Sequence, residues 1–397
     1  MNVFGFELRK LFRDKRLWIL FLVLMACNLF LLNGHYQTLY PFSKANHGSQ
    51  AARDWYATMS QRYNGPLTRE KLEDFRAYRW LMERNDRLVT VEELRSDGYA
   101  STGHLTQDKG LFETVFRVPM AYLIEYPVYR DRLLKSIERA LNEEELGEST
   151  RKAYQDLGRR FSGRKISSLE HGDRYEVYFR YPFAAILSLL LLVVLVLKIE
   201  QQEQQTDMRR FIQTSISYSK VYRCKRLLIA PLAFVCLLIF QGGSYVYLAL
   251  NSFPGNLEAP LYSLPSFYES GLSLSIKEYF AIDFLTRWLG ILVILYIAAW
   301  LTKLVRAPLA SAMVLLIFLS ILYGLSEVGI NNDWAFLKYF NPMQLVRADV
   351  IFTRIEYFKV ASLAFPYHQL AIANCVLLVI VLYASLCIKS RRLAVCI

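Results

Sequence analysis

Six long apolar blocks constrain this chain more than any other feature of its sequence. They cover residues 17–32, 182–197, 227–250, 280–301, 307–325 and 370–388. Each block is close to the roughly 20 residues that a helix needs to cross a hydrocarbon core of about 30 Å. Trp18 and an aromatic cluster over 175–181 can lie at the membrane interface and complete the two shortest blocks. The sequence therefore predicts an all-α polytopic membrane protein with six transmembrane helices.

The charge distribution supports this topology. The chain has 47 Lys and Arg against 35 Asp and Glu, a net charge of +12, which fits either a nucleic-acid partner or a membrane surface. Six spans place both termini on one side of the membrane. The segments on that side are 1–16, 198–226, 302–306 and 389–397, and together they carry the whole net charge. This is the positive-inside pattern, so both termini are expected in the cytoplasm, and no nucleic-acid partner is expected.

The remaining segments are expected outside. Residues 34–181 form a large polar region that is rich in helix formers and shows no alternation typical of strands. Thr68 is a candidate N-cap, and the stretch 125–161 reads as two helices. The sequence therefore predicts a mainly helical extracellular domain between the first two spans. Of the two other outside loops, 251–279 and 326–369, the second is apolar enough to contain a helix at the outer leaflet.

The N-terminal segment, residues 1–16, has a helical apolar pattern. One face carries Phe4, Leu8, Leu11 and Phe12, and basic residues occupy the other faces. A basic amphipathic helix before a span is expected to lie along the cytoplasmic membrane surface. The alternative interpretation is a charged stop beside a membrane helix.

No catalytic motif is present. The chain contains no Gly-Lys dipeptide and hence no nucleotide-binding P-loop, no His-Glu-x-x-His helix, no Gly-x-Ser-x-Gly elbow and no Cys-x-x-Cys pair. We therefore expect no catalytic, cofactor-binding or metal-ligating residues in this chain.

Polar residues inside the spans are the remaining candidates, because they are costly in lipid and usually face protein or a cavity. The candidates for an intramembrane pathway are Asn28, Gln241, Asp283, Arg287 and Asn374. Asp283 and Arg287 are four residues apart and can pair on one helix face. Their pair is either an anchor at a helix end or a polar element of a substrate path.

Several features follow one another in a recognisable order. The amphipathic opening leads directly into the first span, and a large outside region separates spans one and two. The loop after span two contains acids at Glu200, Glu203 and Asp207, a Ser/Thr bend over 214–219, and then Lys220 and Lys225. An Asn341-Pro342 element lies between spans five and six. This layout resembles the membrane subunit of bacterial ABC-2-type exporters, the permease that pairs with a separate ATPase.

The resemblance implies a six-helix half-transporter in the bacterial plasma membrane. Its partners would be the lipid bilayer, a second permease half, identical or related, and an ABC ATPase subunit that binds ATP and Mg. The coupling loop, residues 198–226, would insert into the ATPase. The contact residues expected there are Asp207, Arg209, Arg210, Phe211 and Ile212.

Two other classes remain open. A membrane receptor or sensor could bind an extracellular ligand through residues 34–181, although the largest cytoplasmic segment, 198–226, is too short for a signalling domain. A membrane-embedded enzyme or assembly factor lacks a recognisable nucleophile and base. The sequence does not specify a transported substrate, and peptides, antibiotics, lipids and ions all fit it.

Overall fold

The computed structural model describes residues 13–42, 49–83, 90–142, 147–169, 172–205, 218–305, 307–327, 340–353, 355–360 and 363–395, together with residues 5, 9 and 11. Within these residues, six helices are long and apolar enough to cross a membrane. This confirms the all-α polytopic class and the number of predicted spans. Many outward-facing side chains of these helices are large and apolar, among them Leu22, Phe30, Leu309 and Ile380. Such an exterior suits a lipid environment.

The first spanning helix, α1, covers Lys15–Leu39, and Asp14 caps it by accepting a hydrogen bond from the Arg16 amide at 2.9 Å. The helix continues beyond the predicted apolar block, which ends at residue 32. Tertiary contacts account for the extension, since Tyr36 near its C-terminal end is buried and donates to Asp173.

The polar region between the first two spans is mainly helical. Its helices are α2 (Ser49–Tyr63), α3 (Arg69–Glu83), α4 (Val91–Ser96), α5 (Leu105–Leu111), α6 (Arg117–Ile124), α7 (Tyr126–Leu141) and α8 (Glu148–Ser162). A π-helical turn, Phe112–Phe116, joins α5 to α6, and the two-residue strands β1 (Gly65–Pro66) and β2 (Ser168–Leu169) pair antiparallel. The Thr68 side chain accepts from the Lys71 amide, as expected of the predicted cap.

Buried aromatic side chains form the core of this region. Tyr63, Phe75, Phe112 and Phe116 are fully buried, and the ring centroids of Tyr63 and Phe75 lie 5.7 Å apart in an edge-on arrangement. Large aromatic rings bury much apolar area per residue and prefer such edge-on contacts. The same apolar cluster includes residues of α1, so the region packs continuously onto the spanning helices.

The second half of the chain contains the other five spans. Its helices are α9 (Arg174–Arg180), α10 (Phe183–Gln205), α11 (Tyr218–Asn251), α12 (Ile276–Leu304), α13 (Pro308–Glu327), α14 (Pro342–Arg347), α15 (Asp349–Thr353) and α16 (Tyr367–Val395). An antiparallel hairpin of β3 (Tyr357–Val360) and β4 (Leu363–Pro366) precedes α16. In segment 326–369 the sequence predicts a helix at the outer leaflet but not a hairpin, and the described part of this segment contains two short helices and a hairpin.

Helix α11 is much longer than its predicted span, 227–250. Its 34 residues correspond to about 51 Å at roughly 1.5 Å per residue, against about 30 Å for a hydrocarbon core. The helix therefore projects beyond the membrane at the end that borders residues 206–217. We call this the loop end of the bundle, and we call the opposite end, which meets residues 40–173, the domain end.

Candidate functional site: a buried ion pair and a polar cleft

The pair predicted from spacing lies in the interior of the protein. Asp283 and Arg287 are one turn apart on α12, and each side chain is 1 % exposed. Arg287 Nε donates to both carboxylate oxygens of Asp283, at 3.0 and 2.9 Å. A charge that is buried this completely is tolerated only when it is paired and hydrogen-bonded. The pair satisfies that requirement.

The other guanidinium nitrogens of Arg287 bind the end of a different helix. Nη2 donates to the carbonyl of Phe179 at 3.0 Å, and Nη1 donates to the carbonyl of Tyr181 at 3.2 Å. These carbonyls lie where α9 ends, just before Pro182, which has no amide hydrogen to donate. The last carbonyls of a helix lack partners within it, and a cation there is stabilising. Arg287 therefore anchors the break between α9 and α10.

A second set of hydrogen bonds extends from this break to two further spans. The Tyr181 hydroxyl donates to the backbone oxygen of Asn28 at 2.7 Å, and Oδ1 of Asn28 lies 3.0 Å away. Asn28 Nδ2 in turn donates to Ser244 Oγ of α11 at 2.8 Å. These contacts explain how the apolar helix α1 accommodates a fully buried Asn.

The structure brings together three of the five predicted intramembrane residues. Asn28, Asp283 and Arg287 join one network through Tyr181. Gln241 is buried one turn before Ser244, and its Oε1 has no hydrogen-bond partner in the part of the chain that the structure describes. The same holds for Nδ2 of Asn374 on α16.

A polar cleft of about 810 Å³ opens at the domain end. Its walls come from α9, the loop before α12, the end of α13, the two short helices and the start of α16. The lining residues are Arg180, Pro265, Ser266, Tyr268, Glu269, Ser326, Glu327, Arg347, Asp349, Val350, Thr353, Glu356 and Tyr367. None of these residues stands out in the sequence, because they are dispersed between positions 180 and 367.

Helix α14 positions one wall of the cleft. Asn341 caps it, accepting from the Met343 amide at 3.0 Å and donating to the Leu322 carbonyl of α13 at 2.7 Å. Pro342 follows at the first helical position, where its fixed φ is favourable. The Asn341-Pro342 dipeptide is therefore a helix start, and it is the one sequence signal that pointed to this wall.

Charged groups in the cleft are partly paired with one another. Arg347 Nη1 lies 2.7 Å from Glu327 Oε1. Asp349 Oδ1 is buried without a hydrogen-bond partner among the described residues. Burial raises the pKa of Asp349 to about 6, although the neighbouring Arg287 and Arg347 favour its charged form. The electrostatic contact with Arg287 links the cleft to the ion pair inside the bundle.

A different arrangement occurs at the loop end. Leu11 is buried in a small cluster with Ile199 of α10 and Leu228 of α11. Lys198 forms an ion pair with Asp14 just before α1. The N-terminal segment therefore contacts both helices that flank residues 206–217.

Several predicted contact residues cannot be placed. The expected ATPase-contact residues Asp207, Arg209, Arg210, Phe211 and Ile212 lie outside the described residues, as do Phe4, Leu8 and Phe12 of the predicted interfacial helix. Within the described chain, no three His, Cys, Asp or Glu side chains are grouped closely enough to hold a metal ion.

Comparison of the chain with family models, curated proteins and solved structures finds no match. The six long apolar helices define the class, a multi-pass α-helical membrane protein. Any more specific function has to be argued from the contacts at the two ends of the bundle.

Proposed function

We propose that this chain is the membrane-spanning permease subunit of an ABC exporter. In this proposal a separate ATPase subunit docks on the 198–226 loop and hydrolyses ATP, and a second permease half completes the transporter. Both termini and the loop end face the cytoplasm, and the domain end lies outside the cell.

The contact of Leu11 with Ile199 and Leu228 carries this proposal. A transporter that is driven by a separate ATPase needs a cytoplasmic loop whose movement reaches the spans. Here the loop is flanked by α10 and α11, and both are bound to the N-terminal segment through apolar contacts. The Asp14–Lys198 ion pair adds a charged contact beside the apolar one.

The projection of α11 beyond the bilayer supports the same proposal. The helices on either side of residues 206–217 extend past their apolar segments, so their ends project from the membrane, where a soluble subunit can reach them. A push on this loop would displace the ends of α10 and α11 together, because Leu11 packs against both.

The cleft at the domain end favours a second candidate function, a membrane receptor or sensor of an extracellular ligand. Of the described residues within 34–181, the region expected to bind such a ligand, only Arg180 lines the cleft. The cleft volume is within the range of small-molecule sites, which is roughly 300–1,000 Å³. A receptor would use the cleft without any need for an ATPase.

The test is a pull-down of the tagged full chain from its host in mild detergent, with mass spectrometry of stoichiometric partners. Recovery of a soluble P-loop ATPase in a ratio of about one to one is the expected result. Recovery of a signalling protein without an ATPase would contradict the permease proposal and favour the receptor.

Two matched variants sharpen the experiment. Phe211→Asp places a charge in the proposed docking segment and is expected to abolish ATPase recovery. Val118→Asp places the same charge on a side chain that is 58 % exposed on α6, at the other end of the protein, and is expected to leave recovery unchanged. Equal recovery with both variants would contradict docking at this loop.

A further inference from the structure

The cleft at the domain end has the size of a ligand site. Its volume of about 810 Å³ is near the upper limit of small-molecule sites, which is about 1,000 Å³. Five separate segments of the chain meet around it, so it is a feature of the assembled fold and does not belong to one loop.

The walls of the cleft carry more negative than positive groups. Four carboxylates line it, from Glu269, Glu327, Asp349 and Glu356, against the guanidinium groups of Arg180 and Arg347. Arg347 is already paired with Glu327 at 2.7 Å. Among the described lining residues, this ion pair leaves the carboxylates of Asp349 and Glu269 against the guanidinium of Arg180.

Arg180 forms an ion pair outside the cleft. Its Nη1 lies 3.8 Å from a carboxylate oxygen of Glu176 on the same helix, a residue that does not line the cleft. Glu176 also accepts a hydrogen bond from Ser266.

Asp349 is the group that most needs a partner. Its Oδ1 is buried and has no hydrogen-bond partner among the described residues. A buried carboxylate is costly unless a cation or hydrogen-bond donors compensate it. Since the pKa of Asp349 is about 6, the carboxylate is mainly ionised at pH 7. Arg287 and Arg347 already favour its charge, so what Oδ1 lacks is a hydrogen-bond donor, and an ammonium or guanidinium group of a ligand would supply one.

The arrangement favours an organic cation over a metal ion. No group of three carboxylate, imidazole or thiol side chains in the described chain is compact enough to hold a metal. The acids are instead spread over the walls, beside the aromatic rings of Tyr268 and Tyr367. Aromatic faces attract ammonium and guanidinium groups.

We propose that the cleft is a binding site for an organic cation that carries ammonium or guanidinium groups, with Asp349 and Glu269 as its carboxylate partners. Small polyamines and basic peptides share this chemistry. The proposal goes beyond the permease function and does not depend on it, since the cation could be the cargo or a regulator.

Isothermal titration of the purified full chain in detergent with spermine and with trilysine tests the proposal. We expect saturable binding of at least one probe, and comparison of the two distinguishes a polyamine site from a peptide site. Asp349→Asn and Glu269→Gln are each expected to weaken binding about tenfold or more. Glu258→Gln is the control, because Glu258 is exposed, pairs with Lys277 at 3.2 Å and lies outside the cleft.

Three outcomes would overturn the proposal. They are no saturable binding of either probe, unchanged binding in both cleft variants, and tighter binding of triglutamate or Ca²⁺ than of either cation. Thermal unfolding shows whether each variant is folded. If one of the two cleft variants does not fold, the other still tests the proposal. The titration contains no ATPase, so its result is separate from that of the pull-down.

Discussion

The guanidinium of Arg287 donates to the backbone carbonyl of Tyr181 at 3.2 Å, across a sequence separation of 106 residues. The contact lies where the chain leaves α9 and enters α10. Because Pro182 prevents a continuous helix there, one side chain of α12 fixes the direction in which the second span enters the bundle.

We expect Arg287→Met to be strongly destabilising, because it leaves Asp283 charged and unpaired inside the protein. Breaking one partner of a buried pair typically costs about 3–5 kcal/mol. Adding Asp283→Asn to Arg287→Met is expected to recover part of the lost stability. Arg287→Lys is expected to keep little of the wild-type stability, because an ammonium cannot reach both carbonyls and the carboxylate. Thermal unfolding in detergent measures all three, and wild-type stability of Arg287→Met would contradict the assigned role.

Gly290 is expected to tolerate no side chain. A Cβ there would lie 2.8 Å from Leu345 Cβ and from the Val346 amide nitrogen, and 2.9 Å from the Pro342 carbonyl oxygen. Since α14 packs directly on this glycine, Gly290→Ala is expected to cost about 1–3 kcal/mol by overpacking. The matched control is Gly242→Ala on α11, where no atom of another described segment lies within 4 Å of the added carbon. Equal unfolding temperatures for the two variants would contradict this prediction, because they would show that α14 can shift to make room for the added carbon.

Asp173 is expected to make stability depend on pH. Burial raises its pKa from 3.8 to about 6, although Tyr36 and the Phe253 amide donate to it and Arg174 favours its charge. The folded state therefore binds this proton more tightly than the unfolded state, so the contribution of this group falls as pH rises from about 4 to about 6. The shift corresponds to about 3 kcal/mol at neutral pH.

Asp173→Asn tests this directly, because it removes the charge. Its Oδ1 can still accept from the Phe253 amide, and its Nδ2 can donate to the Tyr36 hydroxyl, which has the Asn251 carbonyl as another acceptor. The variant is expected to unfold at a higher temperature than wild type at pH 7.5 and at a similar temperature at pH 4. A difference between the two proteins that stays constant across this range would rule out titration of Asp173.

Leu11→Ala is expected to loosen the loop end locally. Removing a buried leucine side chain costs about 2 kcal/mol or more, and the loss falls on the cluster with Ile199 and Leu228. Hydrogen exchange is therefore expected to be at least about tenfold faster over 195–200 and 221–228, and unchanged in α12. Leu11→Met keeps the volume and is the control; unaltered exchange in Leu11→Ala would mean that the N-terminal segment does not hold these helices.

The six spans could be predicted from the sequence because long apolar blocks fit few structures other than membrane helices. The Asp283–Arg287 pair could be predicted because a spacing of four residues brings two side chains together on one helix face. The sequence did not reveal the contacts of Arg287 with Phe179 and Tyr181, which depend on how two distant helices pack. The strand β3 reads Tyr-Phe-Lys-Val and lacks clear polar alternation, so the hairpin gave no period-two signal.

The continuity of α11 has a mechanical consequence. At one end the helix borders residues 206–217, and at the other Arg174 binds the carbonyls of Ala249 and Ser252, each at 3.1 Å. Pro231 removes one internal hydrogen bond within the apolar part of the helix. Because the helix is unbroken from Tyr218 to Asn251, a displacement of its loop end would be transmitted along the helix to the carbonyls that Arg174 binds.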